Sequence, residues 1–398
     1  MLPTSAVSQP INRLQLVWAM GIAQILAWST TYYLPAVLAS PIARDTGWSI
    51  TSVVAGLSWG LLVAGICSPT VGRAIDRHGG RPALALSSVL MAIGLSLMGF
   101  ASNLVIYYLA WTFVGVAMAA GLYDAAFATL GRLLGESARA SMSGLTLLGG
   151  FASTLGWPLL AALEHELGWR YACFVLATAH LAIGLPIHLL LIPRVTEAAV
   201  ATSRITKGNE TDSLPASIRS TFLLVAALLT LQSLVISSIS VHLLDVLKQL
   251  GFATATALAI GMVIGPSQVV GRLAEFSIGR NLHPTWSTRL GVLFCLVGIG
   301  FLFPVESWLA FVAMALYGAG NGILTITRGT LPLVLFGSEG YGARMGLLAR
   351  PMLIAQAVGP IGAAVVLEKS GPLTLIALLS GLAVLSLIAS TRLPARKV

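Results

Sequence analysis

The sequence predicts an all-α membrane protein in which twelve transmembrane helices form two pseudo-symmetric bundles of six. Of its 398 residues 57% are hydrophobic and only 9% are charged, whereas soluble domains carry about 25% charged residues. Long apolar runs, many near the ~20 residues that cross ~30 Å of hydrocarbon, recur along the chain. They are too uniformly apolar for barrel strands, and a lipid-exposed backbone must bond internally, so they are expected to be helices.

The apolar runs divide into six and six around one long polar stretch. The first six lie at about 13–38, 52–71, 83–100, 104–130, 141–163 and 171–192. The second six lie at about 220–247, 254–278, 286–303, 308–331, 345–367 and 373–393. We therefore predict an N-terminal bundle over 1–192, a cytoplasmic linker over 193–219 and a C-terminal bundle over 220–398. The first run is too long for a signal-peptide core and is expected to be retained.

The basic residues predict how the chain is oriented. All but four of the 23 lysines and arginines fall on one side of the membrane if both termini and the linker are cytoplasmic. The four on the other side are Arg44, Arg170, Lys248 and Lys369. The pattern predicts a multi-pass protein of the cytoplasmic (inner) membrane. Because the net charge of +9 is spread over alternate loops and not over a patch with stacking aromatics, it does not indicate nucleic-acid binding.

The sequence carries no pattern typical of an enzyme. The three cysteines, Cys67, Cys173 and Cys295, all lie in apolar runs without the spacing of a zinc site or disulfide framework. There is no phosphate-binding Gly-x-x-x-x-Gly-Lys-Ser/Thr loop, so an ATP-driven pump is not expected. We predict no catalytic residues, no metal and no cofactor.

A short basic stretch between the second and third runs resembles a known family. The pattern Gly-x-x-x-Asp-Arg-x-Gly-Gly-Arg is similar to the signature loop of the major facilitator superfamily. The matching residues are Gly72, Asp76, Arg77, Gly80 and Arg81. The alternative is a cytoplasmic loop that is merely positive. In either case the Asp76 carboxylate needs a neighbouring arginine or a helix N-terminus.

The resemblance implies two bundles that rock about a solute site near the middle of the membrane. The second half carries a weaker echo of the signature at 271–284, with Glu275 four residues after Gly271. In the family, a glycine–proline pattern on the fifth helix is associated with proton-driven exporters; here Trp157 separates glycine from proline. Trp111 stands where many proton-coupled members carry arginine, so their usual coupling route is not carried over.

Ionisable groups within apolar runs are functional candidates because they are costly in hydrocarbon. We expect Asp124 in the fourth run and Arg328 in the tenth to form a gate between the halves, and Asp124 and His242 to take part in proton coupling. Local bonding of Asp124, and Arg328 reaching to the membrane interface, are the alternatives.

Polar and aromatic residues on several runs could line a solute cavity. The candidates are Gln24, Trp28, Tyr32, Gln232, Ser237, Gln268, Asn321 and Gln356. For any one of the small hydroxyl groups, a bond between helices is the alternative.

These observations predict a secondary active transporter that moves a small organic solute by alternating access with proton coupling. The residues slightly favour efflux of a small or amphipathic compound. Uptake or exchange of an organic anion such as a monocarboxylate, and a membrane sensor on a transporter scaffold, are the alternatives. The expected partners are the solute, protons and membrane lipid, and a functional monomer is expected.

Overall fold

The computed structural model describes residues 11–194, 216–303 and 306–395, and over these residues the regular secondary structure is entirely helical. The first half contains α1 (Arg13–Ser29), α2 (Leu34–Thr46), α3 (Ile50–His78), α4 (Gly80–Gly99), α5 (Leu104–Gly121), α6 (Tyr123–Leu134), α7 (Arg139–Gly149) and α8 (Ala152–Ala179). Two π-helical turns, His180–Gly184 and Ile187–Leu191, follow α8.

The second half contains α9 (Ala216–Gln249), α10 (Thr254–Met262), α11 (Ile264–Ser277), α12 (Pro284–Gly300), α13 (Ser307–Phe336) and α14 (Tyr341–Thr391). Two of the long helices turn sharply at a glycine in the left-handed region. These are α8 at Gly168, with φ of 78°, and α14 at Gly371, with φ of 80°. Because a side chain would strain such a backbone, each glycine divides its helix into two helical segments.

The chain divides into two compact units. The first holds the described residues of Met1–Leu214 together with Ser338–Arg350. The second holds those of Pro215–Gly337 together with Pro351–Val398. About the first three turns of α14 therefore pack in the first unit, although they follow α13 in sequence.

Seven helical stretches among the described residues are long and apolar enough to cross a membrane. The count of twelve spans therefore stays a prediction. Several of the runs that the sequence predicted as helices are interrupted. The first is interrupted between Ser29 and Leu34, the fourth at Leu122, the fifth between Gly149 and Ala152, and the eighth at Val263.

The break in the first run has a local cause. The Thr30 hydroxyl donates to the Leu26 carbonyl over 2.8 Å, and the Thr31 hydroxyl donates to the Ala27 carbonyl over 2.7 Å. The same bonds occur inside unbroken helices, at Ser68 of α3 and Thr129 of α6, so the break is attributed to Pro35 at the start of α2, which has no N–H to bond the Thr31 carbonyl. Tyr32 and Tyr33 consequently lie in a turn between α1 and α2.

The signature stretch is helical and not the loop that the sequence predicted. Helix α3 continues to His78, and α4 begins at Gly80. Only Gly79, with φ of 79°, separates them. The charges predict the end of a helix, but α3 continues because Ile75 and Asp76 are buried on its side that packs in the first unit.

In the core of the first unit, α3 and α5 approach closely. The indole of Trp111 is fully buried, and a Cβ atom on Gly56 would overlap it. The Tyr107 hydroxyl, also buried, donates to the Val53 carbonyl over 2.8 Å. Trp111 therefore serves helix packing at the position where many proton-coupled members of the family carry arginine.

Candidate functional site

The carboxylate of Asp76 caps the N-terminus of α14. Its Oδ1 accepts the backbone N–H of Gly342 over 2.9 Å, and its Oδ2 accepts that of Ala343 over 2.7 Å. The first N–H groups of a helix have no partner within the helix and carry a partial positive charge. The prediction that Asp76 pairs with an arginine or a helix N-terminus is confirmed for the helix N-terminus. We call this contact the Asp76 lock.

Glycines allow the two backbones of the lock to touch. A Cβ atom on Gly72 would overlap the Gly342 carbonyl, and one on Gly346 would overlap the Ser68 carbonyl. Main-chain atoms at such contacts cannot swing aside as a side chain can. The glycine that opens the signature is thus required for the close approach of α3 to α14.

The other signature residues hold different places. A Cβ atom on Gly80 would overlap the Thr129 hydroxyl of α6, so this glycine brings α4 against α6. Arg77 is exposed and Arg81 is half-buried. The sequence predicted the five residues as one loop, and the structure assigns buried packing roles to Gly72, Asp76 and Gly80.

Asp124 lies beside the Asp76 lock. It stands in the first turn of α6, immediately after the break at Leu122. Within the first unit it lines a small cavity together with residues of α3, α5, α6 and the start of α14. The other lining residues are Ser68, Val71, Gly72, Ile75, Ala119, Ala125, Ala128, Gly342 and Gly346.

An aromatic cluster surrounds the break between α1 and α2. The ring of Trp28 lies 5.6 Å from that of Tyr32 and 5.0 Å from that of Tyr123, measured between ring centroids. The Tyr33 ring lies 5.9 Å from that of Trp157. Two helix breaks, one between α1 and α2 and one at Leu122, lie next to these rings. Hydropathy alone would place the rings on separate straight helices.

Gln24 is buried below these rings. Its Nε2 donates to the Gly121 carbonyl over 2.6 Å, and its Oε1 accepts the Trp28 indole N–H over 3.0 Å. Gly121 is the last residue of α5 before the break at Leu122. Gln24 therefore satisfies a carbonyl at a helix end, and its role in a solute cavity stays a prediction.

Several candidate residues of the second unit make contacts within that unit. His242 Nε2 lies 2.8 Å from the Pro360 carbonyl and donates to it. The Gln268 side-chain oxygen lies 3.4 Å from an Arg272 guanidinium nitrogen. Ser237 packs against Gly359, where a Cβ atom would lie 2.6 Å from its hydroxyl oxygen. Gln232 is 3% exposed.

The remaining candidates, Asn321, Arg328 and Gln356, are half-buried on α13 and α14. Arg328 belongs to the second unit and Asp124 to the first, so their pairing as a gate stays a prediction.

The sequence did not reveal the partner of Asp76. The available signal was the pair of glycines, Gly340 and Gly342, at the start of the eleventh run, whose beginning was placed at Met345 and not at Tyr341.

A polytopic bundle of apolar helices, carrying a buried carboxylate on a helix N-terminus, defines a multi-pass membrane protein. The family model of the Major Facilitator Superfamily matches residues 20–349. The chain belongs to this superfamily of transport proteins, as the signature residues indicated, and not to a class of enzymes.

Individual relatives are more distant. The chain is 27% identical to "Monocarboxylate transporter 13" of Bos taurus over 289 residues, which cover 68% of this chain and 64% of that protein. The crystal structure of the human organic anion transporter MFSD10 (TETRAN) matches with a TM-score of 0.69 at 17% identity, over 96% of this chain and 100% of that one. The proton:xylose symporter XylE, bound to 6-bromo-6-deoxy-D-glucose, matches with a TM-score of 0.72 at 14% identity, over 97% of each chain. At these identities the two structures show the fold alone.

Proposed function

We propose that this protein is a proton-coupled secondary transporter that carries a small organic anion, such as a monocarboxylate, across the cytoplasmic membrane by alternating access. The observation that carries the proposal is the Asp76 lock. Its two bonds hold the first turn of α14 against α3, and they must break if that turn moves away. A charge-assisted contact of this kind stabilises one of two arrangements and can be released by a modest opposing free energy.

The solute class is supported by the similarity to the cattle protein named a monocarboxylate transporter. The amino-acid sequence alone slightly favours efflux of a small or amphipathic compound over uptake of an anion. That second candidate, export of a small or amphipathic compound, is supported by the aromatic cluster around Trp28, because aromatic walls suit the apolar part of such a solute.

In this proposal Asp124 and Arg328 form the gate between the halves, and Asp124 and His242 take part in proton coupling. Asp124 is suited to both roles since it lines a cavity with Gly72 and Gly342, the glycines that also flank the Asp76 lock. Both termini and the linker 193–219 lie in the cytoplasm, and the protein acts as a monomer in the lipid bilayer.

Uptake into proteoliposomes tests the proposal. Radiolabelled lactate is added outside at pH 6 with the lumen at pH 7.5, and protein-free liposomes measure passive entry of the acid. We expect lactate to accumulate above that background and a protonophore to abolish the accumulation. Lactate uptake equal to the background, with transport of a fluorescent amphipathic dye instead, would replace the anion proposal by the efflux candidate.

A further inference from the structure

A short polar sequence is repeated in the first helix of each half. Gln24-Ile-Leu-Ala-Trp28-Ser29 in α1 has the counterpart Gln232-Ser-Leu-Val-Ile236-Ser237 in α9. The structure places both copies in the same way. The Ser29 hydroxyl packs against Gly156 of α8, and the Ser237 hydroxyl packs against Gly359 of α14. Gln24 and Gln232 therefore occupy equivalent positions in the two units.

The surroundings of the two glutamines differ. Gln24 bonds to the Gly121 carbonyl at the break between α5 and α6, and to the indole of Trp28. The corresponding helix of the second half, α13, has no break like the one at Leu122. Ile236 replaces the indole. Among the described residues neither Nε2 nor Oε1 of Gln232 has a hydrogen-bond partner.

An unsatisfied buried amide is unfavourable for folding. Gln232 is 3% exposed, and one helical turn away on the same face lie Leu228 and Val235, both fully buried. Leaving a buried donor or acceptor unpaired forfeits its hydration, so such groups are uncommon in native proteins and point to a role besides stability. Leucine at this position would fit the apolar stripe of α9 better.

We propose that Gln232 binds the carboxyl group of the transported solute in its uncharged, protonated form. The inference rests on the proposed function and names the chemistry of its solute site. The acid C=O accepts a hydrogen bond from Nε2, and the acid O–H donates one to Oε1, so a single group satisfies both amide atoms. An ionised carboxylate would instead require a cation in these apolar surroundings. The carboxylate takes its proton from the aqueous side, so solute and proton enter together.

The test compares Gln232→Leu with the matched variant Gln24→Leu. We expect Gln232→Leu to raise the melting temperature by about 2 °C, because it removes an unpaired buried amide, and to raise the KM for lactate uptake about tenfold. We expect Gln24→Leu to lower the melting temperature, because it strands the Gly121 carbonyl and the Trp28 N–H. A second variant, Ile236→Trp, supplies the indole partner and should raise both the melting temperature and the KM.

The outcomes separate the possibilities. A stabilised Gln232→Leu protein with unchanged lactate kinetics would overturn the inference and leave the proposed function standing; a buried water would then be the partner of Gln232. A destabilised Gln232→Leu protein would overturn it as well, since the amide would be structural. If wild-type protein takes up no lactate while Gln232→Leu is stabilised, the proposed anion function fails, and the carboxyl assignment fails with it.

Discussion

Asp76 is a single residue whose charge acts on a whole helix. Replacing it in Asp76→Asn keeps the shape and removes the charge that the N-terminus of α14 favours. Such charge–dipole contacts contribute about 0.3–2 kcal/mol, so we expect transport to slow by about tenfold when the conformational equilibrium shifts. Initial rates of lactate uptake measure the effect.

The control for this prediction is Asp245→Asn, since Asp245 is an exposed carboxylate on α9. It should transport at the wild-type rate. Equal rates for Asp76→Asn and Asp245→Asn would show that the lock has no part in transport.

The sequence predicted one half of the Asp76 lock, the carboxylate, but not the helix that it caps. A buried aspartate near helix ends needs positive charge, and this much follows from the sequence. Its partner did not follow, because Gly342 lies 266 residues away along the chain. Gln24 was assigned to a cavity for the same reason: no pattern revealed that α5 ends at Gly121 and offers it a carbonyl.

At the scale of helices, the approach of α3 to α14 depends on Gly72. In Gly72→Ala the new Cβ would overlap the backbone of Gly342. Overpacking of this kind typically costs about 1–3 kcal/mol, so we expect a lower melting temperature. Because the substitution leaves every charge in place, it tests the packing of the lock apart from its electrostatics.

The matched control is Gly381→Ala in α14, where the structure has nothing within 4 Å of an added Cβ. Alanine is a better helix former than glycine by about 1 kcal/mol, so this variant should be neutral or slightly stabilised. A Gly72→Ala protein as stable as Gly381→Ala would contradict the close contact of the backbones.

A second helix end is capped by Arg170. Its guanidinium donates to the Gly99 carbonyl over 3.0 Å and to the Ala101 carbonyl over 2.8 Å, and lies 3.4 Å from the Asp45 carboxylate. Bonds from a charged donor to terminal carbonyls are worth about 1.5 kcal/mol or more in favourable cases. We expect Arg170→Gln to lower the melting temperature by about 3 °C.

Arg44→Gln is the comparison for this prediction, because Arg44 directly precedes Asp45 in the sequence and its side chain is exposed. Thermal unfolding in detergent measures both variants. Equal melting temperatures would mean that the cap at the end of α4 contributes nothing to stability.

Hydropathy located the helical runs well and their interruptions poorly. The breaks at Leu122 and Val263 lie inside apolar sequence, and hydropathy averaged over about twenty residues does not register a change of backbone at a single residue. Conversely, the charges at 73–78 predict a loop, whereas the structure has them in the last turns of α3. These errors matter for the site, since the break at Leu122 positions Asp124 and Tyr123.

At the scale of the whole molecule, family membership, low charge and apolar helices agree on a multi-pass transporter. The sequence predicted this from composition and the signature residues, because the membrane imposes the same constraint along the entire chain. The orientation and the division into six and six spans are still predictions. They are central, because a gate formed by Asp124 and Arg328 and proton entry from one side both depend on them.

Site-directed labelling tests that arrangement most directly. After Cys67, Cys173 and Cys295 are replaced by serine, single cysteines are introduced as His165→Cys, whose native side chain is 83% exposed, and as Asn209→Cys in the linker, which lies outside the described residues. Intact cells are treated with a membrane-impermeant maleimide. We predict labelling of His165→Cys in intact cells and of Asn209→Cys only after the membrane is opened. Labelling of both positions from the same face would contradict the account.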